Sequence, residues 1–337
     1  MLESRGHDVF CTTRNHRELD LLTTLKNIHA LRVGKYGGGT LEGKLAASAQ
    51  RIERLSHIIS KLKPALSIAF ASPDAARVAF GLGIPHLTVN DSPHSIFVAK
   101  LTIPYASKLF SPAVIPKNVW LRLGASNTQI IQYNALDPVA WLRNFTPNPE
   151  VLHELGLDPL KPIVVFRAEE ALASYLLGHS RVEEPTVLIT IKKFIEKNKD
   201  PVQIVAVVRY DEQIPIVKAA FNDKVTVPTN AIDGPSLLFY TSVFIGAGGT
   251  MTAESALLGK PTLSCYPNEP TIIEKYLIKK KLINRVIDAD KASKKIVQIL
   301  KNYESVRKKQ AETAQRLMSK MENPLDIIIK TVETNFK

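Results

Sequence analysis

Cysteine is scarce in this chain. Cys11 and Cys265 are the only two in 337 residues. They lie far apart in unrelated contexts, which excludes a disulfide framework and a cysteine-built metal site. Both sit in short apolar runs and are expected to be reduced core residues. Long apolar runs are missing too. None reaches the roughly 18–20 residues needed to span a bilayer. The first eight residues are polar and charged, unlike a secretory leader. The expectation is a cytoplasmic protein, with peripheral membrane contact compatible with its charge. His7, His16, His57, His86, His153 and His179 show no metal-ligand spacing, and no Asp-x-Asp motif stands in a fitting place. Acidic residues are in deficit: 32 Asp and Glu against 44 Lys and Arg leave a formal charge of +12. That balance favours an anionic partner. A nucleic acid is not expected, because no helix-turn-helix, RNA-recognition aromatics or zinc knuckle is present. The late runs Lys279-Lys280-Lys281, Lys294-Lys295 and Arg307-Lys308-Lys309 read as solvated helix faces.

What the chain does have is alternation. Short apolar runs at 9–12, 30–33, 66–70, 86–89, 108–111 and 130–133 read as strands, with amphipathic stretches between them. The clearest helix covers 41–62, where Leu41, Leu45, Ile52, Leu55, Ile58, Ile59 and Leu62 recur near a 3.6-residue period. Ser72-Pro73-Asp74 supplies a cap and a proline for the next helix. A turn-rich break falls at 141–149, and near-continuous apolar strands follow at 163–166, 204–208, 225–227, 243–245 and 262–265. The fold class is therefore α/β, with two Rossmann-like parallel-sheet domains facing a cleft. The first is expected over 1–145 and the second over 146–321, with a final helix of about 322–337 returning to the first. The start is unusual: residues 1–8 resemble a helix end capped by Gly6, so the first domain is expected to lack its first strand, as in a truncated version of a longer ancestor.

The most informative segment is Phe244-Ile245-Gly246-Ala247-Gly248-Gly249-Thr250-Met251-Thr252-Ala253-Glu254, which runs on to Gly259-Lys260-Pro261. An apolar strand enters a loop with three glycines, and a helix starts near Thr250. Glycines permit positive φ and close approach of a ligand to the backbone. A helix N-terminus offers unpaired N–H groups and partial positive charge, which suits a diphosphate. Thr250 and Thr252 add hydroxyl donors, and Glu254 can accept hydrogen bonds from the vicinal hydroxyls of a ribose. The loop lacks the Gly-Lys-Ser/Thr ending of a Walker loop, and its glycines do not fit G-x-G-x-x-G.

Other candidates stand at expected strand ends. In Asn90-Asp91-Ser92-Pro93-His94, Asp91 is a candidate general base and His94 a proton carrier or phosphate ligand; an Asx-type turn capping a helix is the alternative. Arg167 follows the first strand of the second domain and is a candidate phosphate partner, with Glu169 and Glu170 beside it as candidate acid or base groups. A surface ion pair is the alternative there. Asn268 and Glu269 follow the strand at 262–265 and are candidate sugar contacts. Gly37-Gly38-Gly39-Thr40 is either a phosphate or acceptor loop or a turn capped by Thr40.

The glycine-rich segment resembles the donor-binding signature of GT-B-type glycosyltransferases and of the UDP-N-acetylglucosamine 2-epimerases that share their fold. The resemblance assigns Gly248, Gly249, Thr250 and Glu254 to the nucleotide, and Asn268 and Glu269 to the donor sugar. Over nearly its full length the chain resembles an archaeal and bacterial family of unknown function in the same superfamily. Arg5–Val9, Tyr36-Gly37-Gly38, Leu82-Gly83-Ile84-Pro85, Asn90–His94 and the loop to Pro261 carry that likeness. It implies a GT-B-like fold and a UDP-type nucleotide-diphosphate sugar as substrate, with no cofactor and no metal. Glycosyl transfer to an acceptor, lipid-linked or a glycan, is the leading expectation, with Asp91 or His94 as base. A 2-epimerase-like activity is the alternative, although Phe166 stands where those enzymes carry the histidine of a His-Arg pair. A non-catalytic nucleotide-sugar-binding or scaffold protein is the third reading.

Overall fold

The computed structural model describes residues 1–15, 17–168, 186–209 and 211–336. His16, Glu169, Glu170 and His179 lie outside them. The chain forms two compact units, one of residues 1–137 and 322–336, the other of 138–168 and 186–321.

In the first unit the strands are β1 (Thr12–Asn15), β2 (Leu31–Lys35), β3 (Ser67–Phe70), β4 (His86–Val89), β5 (Lys108–Pro112) and β6 (Ile130–Tyr133). They form a parallel pair, β1-β2, and a parallel four-stranded sheet, β3-β4-β5-β6. A doubly wound sheet runs 3-2-1-4-5-6. The pair follows the 3-2 flank of that order and β3-β4-β5 the 4-5-6 flank, with β6 one strand beyond it, and among the described residues no strand joins the two pieces. The 9–12 run is not the strand expected. Gly6, at φ +86°, closes a short 3-10 turn over Glu3–Arg5. Pairing with β2 then begins only at Thr12, opposite Leu31. Cys11 is accordingly half-buried rather than in the core, whereas Cys265 is fully buried.

The Leu41–Leu62 helix begins where the Thr40 side chain accepts the Gly43 N–H at 3.0 Å and ends at Lys63, at φ 49°. A Cβ on Gly37 would stand 2.5 Å from the Gly43 carbonyl. The glycines before Thr40 thus let the chain fold tightly onto the helix start. Ile52, Leu55, Ile58 and Ile59 bury one face of this helix against Val33 and Val78. Leu41, Leu45 and Leu62, expected on that face, are exposed. Arg51 ties the helix to β2 and to the Pro73–Gly81 helix, donating to the Val33 carbonyl and to Asp74, each at 2.9 Å. The Pro324–Asn335 helix belongs to this unit. Glu322 exchanges hydrogen bonds with Asn134, and Glu333 pairs with Arg5.

In the second unit β7 (Ile163–Arg167), β8 (Gln203–Val207), β9 (Val243–Gly246), β10 (Thr262–Ser264) and β11 (Ile283–Arg285) form one parallel sheet in the order β11-β10-β9-β7-β8. Its central strands are buried on both faces, by Val164, Phe166, Ile191, Phe194 and Ile245 on one side and Val165, Leu237, Leu238 and Phe244 on the other. This is why they read as continuous apolar runs. The run at 225–227 is not a strand. Thr226 makes a single bridge to Val205 and the ladder goes no further. Among the described residues no helix is long and apolar enough to cross a membrane.

Candidate functional site

The order of the second sheet singles out one place. β7 and β9 are neighbours, although the chain forms β8 between them. The connection leaves β7 for one side of the sheet and later returns to the other. Such a switch point opens a crevice at the carboxyl ends of the two strands, where open α/β sheets take their ligands. Arg167 ends β7 and Gly246 ends β9. The residues picked out by chemistry therefore flank the place picked out by topology.

The turn after β9 leaves backbone exposed. Gly248 and Gly249 both hold φ +82°, a left-handed conformation that costs other residues strain. Gly249 is the N-cap of the Thr250–Leu257 helix and no side chain caps it. Gly249 and Thr250 are exposed, while the rest of the helix sinks into the unit. The helix thus presents its first N–H groups and the positive end of its dipole at an open position. Gly246 and Thr252 do different work. A Cβ on Gly246 would stand 2.6 Å from the Thr252 hydroxyl and 2.7 Å from the Phe244 ring. Thr252, 2% exposed, donates its hydroxyl to the Gly248 carbonyl at 2.8 Å. The two residues brace the turn from inside, so Thr252 is not the outward hydroxyl donor expected from sequence.

Glu254 is buried one turn into the helix. It accepts a hydrogen bond on Oε1 from the Trp141 indole at 2.8 Å. Burial raises its pKa; the Trp141 bond opposes this, Asp233 adds to it, and the charge of Arg167 opposes it. Arg167 also donates to the Val208 carbonyl at 2.8 Å, which fixes its guanidinium across the ends of β7 and β8. Arg167 and Glu254 are thus close enough to feel each other. Behind the turn, a Cβ on Gly248 would meet Glu274 Oε2 at 3.6 Å and the Tyr266 ring at 3.8 Å. Burial also raises the pKa of Glu274, with Ser264 and Arg285 pulling against it. Asn268 and Glu269 lie exposed in the loop after β10. The Asn268 carbonyl accepts from Arg285 at 2.9 Å, and Glu269 is paired with Lys275, which holds its pKa low.

The first unit gathers a second group at the carboxyl ends of β4 and β6. Asn90 is buried, and its Oδ1 accepts the Ser92 N–H at 2.8 Å, which is the Asx turn allowed by the sequence. Ser92 donates its hydroxyl to Asp91 at 2.6 Å. Burial lowers the pKa of His94, which favours the neutral ring, and the charge of Asp91 partly restores it. Sequence reasoning missed Tyr133 and Asp137. The Tyr133 hydroxyl donates to Asp137 Oδ1, and both residues are buried. Burial and the charge of Asp91 raise the pKa of Asp137 to about 7, against the pull of the Tyr133 bond. A Tyr at a strand end with an Asp four residues on was the available signal.

Residues 1–337 match the family described as a protein of unknown function, DUF354. The chain belongs to this family. An uncharacterised protein of Methanocaldococcus jannaschii is 35% identical over 283 residues, which is 82% of this chain and 79% of that protein. Among solved structures, the UDP-GlcNAc 2-epimerase of Neisseria meningitidis bound to UDP-GlcNAc matches with a TM-score of 0.71 at 16% identity, covering 99% of this chain and 95% of the enzyme. The M. jannaschii UDP-GlcNAc 2-epimerase in complex with UDP-GlcNAc and UDP gives 0.70 at 16% identity, with 98% and 94% covered. The spinosyn forosaminyltransferase gives 0.60 at 17% identity, with 98% and 92% covered. This DUF354 chain therefore has the GT-B fold that the epimerases and glycosyltransferases share.

Proposed function

We infer that the protein is a nucleotide-sugar enzyme that binds a UDP-type diphosphate sugar at the Gly248–Glu254 turn. One observation carries this reading. At the switch point of the second sheet, a helix starts on a glycine with no side-chain cap, and a buried carboxylate waits one turn inside. The exposed amides of Gly249 and Thr250 bind the diphosphate, Arg167 adds positive charge, and Glu254 takes the ribose hydroxyls. Solved structures of the same fold hold UDP-GlcNAc or UDP, which supports the class of ligand.

The leading activity is metal-independent glycosyl transfer. The helix dipole and Arg167 stabilise the leaving diphosphate, and the candidate bases for the acceptor hydroxyl are His94 and Asp91, carried by the first unit. A second reading, 2-epimerisation, is favoured by Asp137, whose pKa burial and the charge of Asp91 raise to about 7, within reach of both proton donation and proton acceptance near neutral pH.

A thermal-shift screen over UDP, UDP-GlcNAc, UDP-glucose, GDP-mannose and dTDP-glucose tests the binding. UDP-type ligands are expected to raise the melting temperature, and Glu254→Ala to remove most of the gain. No shift with any nucleotide sinks the reading. Incubation with UDP-GlcNAc alone then separates the activities: an epimerase turns it over without an acceptor, whereas a transferase leaves it unchanged.

A further inference from the structure

Trp141 is placed to do more than pack. It lies in the short Val139–Leu142 helix at the start of the second unit, 113 residues before its partner Glu254. Val139 and Leu142 of the same helix are buried and anchor it, whereas Trp141 stays 43% exposed. Its indole N–H nonetheless reaches a carboxylate that is itself only 6% exposed. The ring is only partly covered, and its single donor goes to the group proposed to hold the ribose.

We propose that Trp141 is the positioning residue of the nucleoside subsite, its indole N–H fixing the Glu254 carboxylate so that the remaining lone pairs face the ribose 2′ and 3′ hydroxyls. This rests on the nucleotide reading above and adds to it. A carboxylate can rotate about its last bond, and two of its lone-pair directions must be aligned to receive a vicinal diol. Donation from Trp141 to Oε1 fixes that rotation before ligand arrives, which lowers the ordering cost of binding. It also favours the charged, accepting form against the burial that disfavours it. Phe at this position keeps an apolar ring but has no donor.

The experiment compares UDP with 2′,3′-dideoxy-UDP on wild type and Trp141→Phe by isothermal titration calorimetry. A positioning role predicts about a tenfold loss of UDP affinity in the variant, the size expected for a hydrogen bond to a charged group. The affinity for dideoxy-UDP, which offers Glu254 no diol, is expected to change less than twofold. Equal losses for both ligands mean a purely structural role and overturn the proposal, as does no loss for either. Wild type that binds neither ligand removes the nucleotide reading and this proposal together. Wild type that binds UDP while Trp141→Phe binds it equally well overturns the proposal alone.

If the variant does not fold, the wild-type protein still decides. The other tryptophan, Trp120, is fully buried and donates to Ser111 at 2.8 Å. A ligand-induced change in indole emission therefore reports on Trp141. Saturating UDP is expected to change the emission and saturating dideoxy-UDP to leave it near the free value. The same response to both, or to neither, overturns the proposal.

Discussion

Gly246 shows how little freedom the residues around the turn have. A methyl group there would meet the Thr252 hydroxyl and the Phe244 ring well inside contact distance. Gly246→Ala is therefore expected to destabilise the second unit by about 1–3 kcal/mol, the usual cost of overpacking, as measured by urea unfolding. Asp137 makes a pH-dependent case. Its pKa is about 7 in the fold and about 4 in an unfolded chain. Proton binding thus favours the fold, fully so below pH 4, and that contribution is lost as the pH rises through 7. It amounts to at most about 4 kcal/mol. His86, lowered to about 4, and His94 act in the opposite sense, losing stability as the pH falls below 6.5. The test is therefore the difference between proteins. Asp137→Asn should gain on wild type in melting temperature between pH 5 and pH 8, and a constant difference across that range refutes the assignment. Neither this titration nor the Trp141–Glu254 bond was legible in the sequence, because each depends on burial and on partners brought together only by folding.

At the scale of elements, legibility followed pairing and capping. β4 and β6 run over the residues expected, and the helix at Pro73–Gly81 starts at its Ser72 cap. Where the expectation slipped, long-range pairing set the boundary. β1 starts late because β2 dictates its register, and the run at 225–227 has a single bridge partner. β11 was missed because its three residues include Asn284 and Arg285 and offer little apolar signal. The end of the Thr250–Leu257 helix was legible in a stricter sense. Gly259 holds φ +71°, and a Cβ there would stand 2.6 Å from Ala311 Cα in the Tyr303–Met318 helix. Gly83 holds a similar φ of +69° with nothing within 4 Å. The pair separates backbone strain from close approach. Gly83→Ala should cost only the strain of a left-handed residue, about 1–2 kcal/mol. Gly259→Ala must also displace a helix and should cost clearly more. Similar losses in chemical denaturation would show that the helix gives way easily.

Across the whole molecule, the two units differ in how completely they bury their apolar side chains. The second unit closes both faces of a continuous five-stranded sheet. The first divides its strands between two sheets, and large exposed apolar side chains concentrate there: Phe10, Leu41, Leu45, Phe70, Phe80 and Phe97 are all at least 47% exposed. Each leaves in water area that burial would otherwise turn into stability, at roughly 25 cal/mol per Å². The alternation of strands and helices gave the class of both units from sequence, but not this asymmetry, since an apolar residue on a helix face reads the same whether or not anything covers it. Two melting transitions are expected in calorimetry, with the first unit unfolding at the lower temperature and binding a hydrophobic dye as it does so. The proposed nucleotide site belongs to the second unit, so saturating UDP should raise the upper transition. At a hundred times the dissociation constant the stabilisation is about 2.7 kcal/mol. The lower transition should move far less. If UDP lifts the lower transition instead, the diphosphate is held by the first unit, and the turn at Gly248 is not its site.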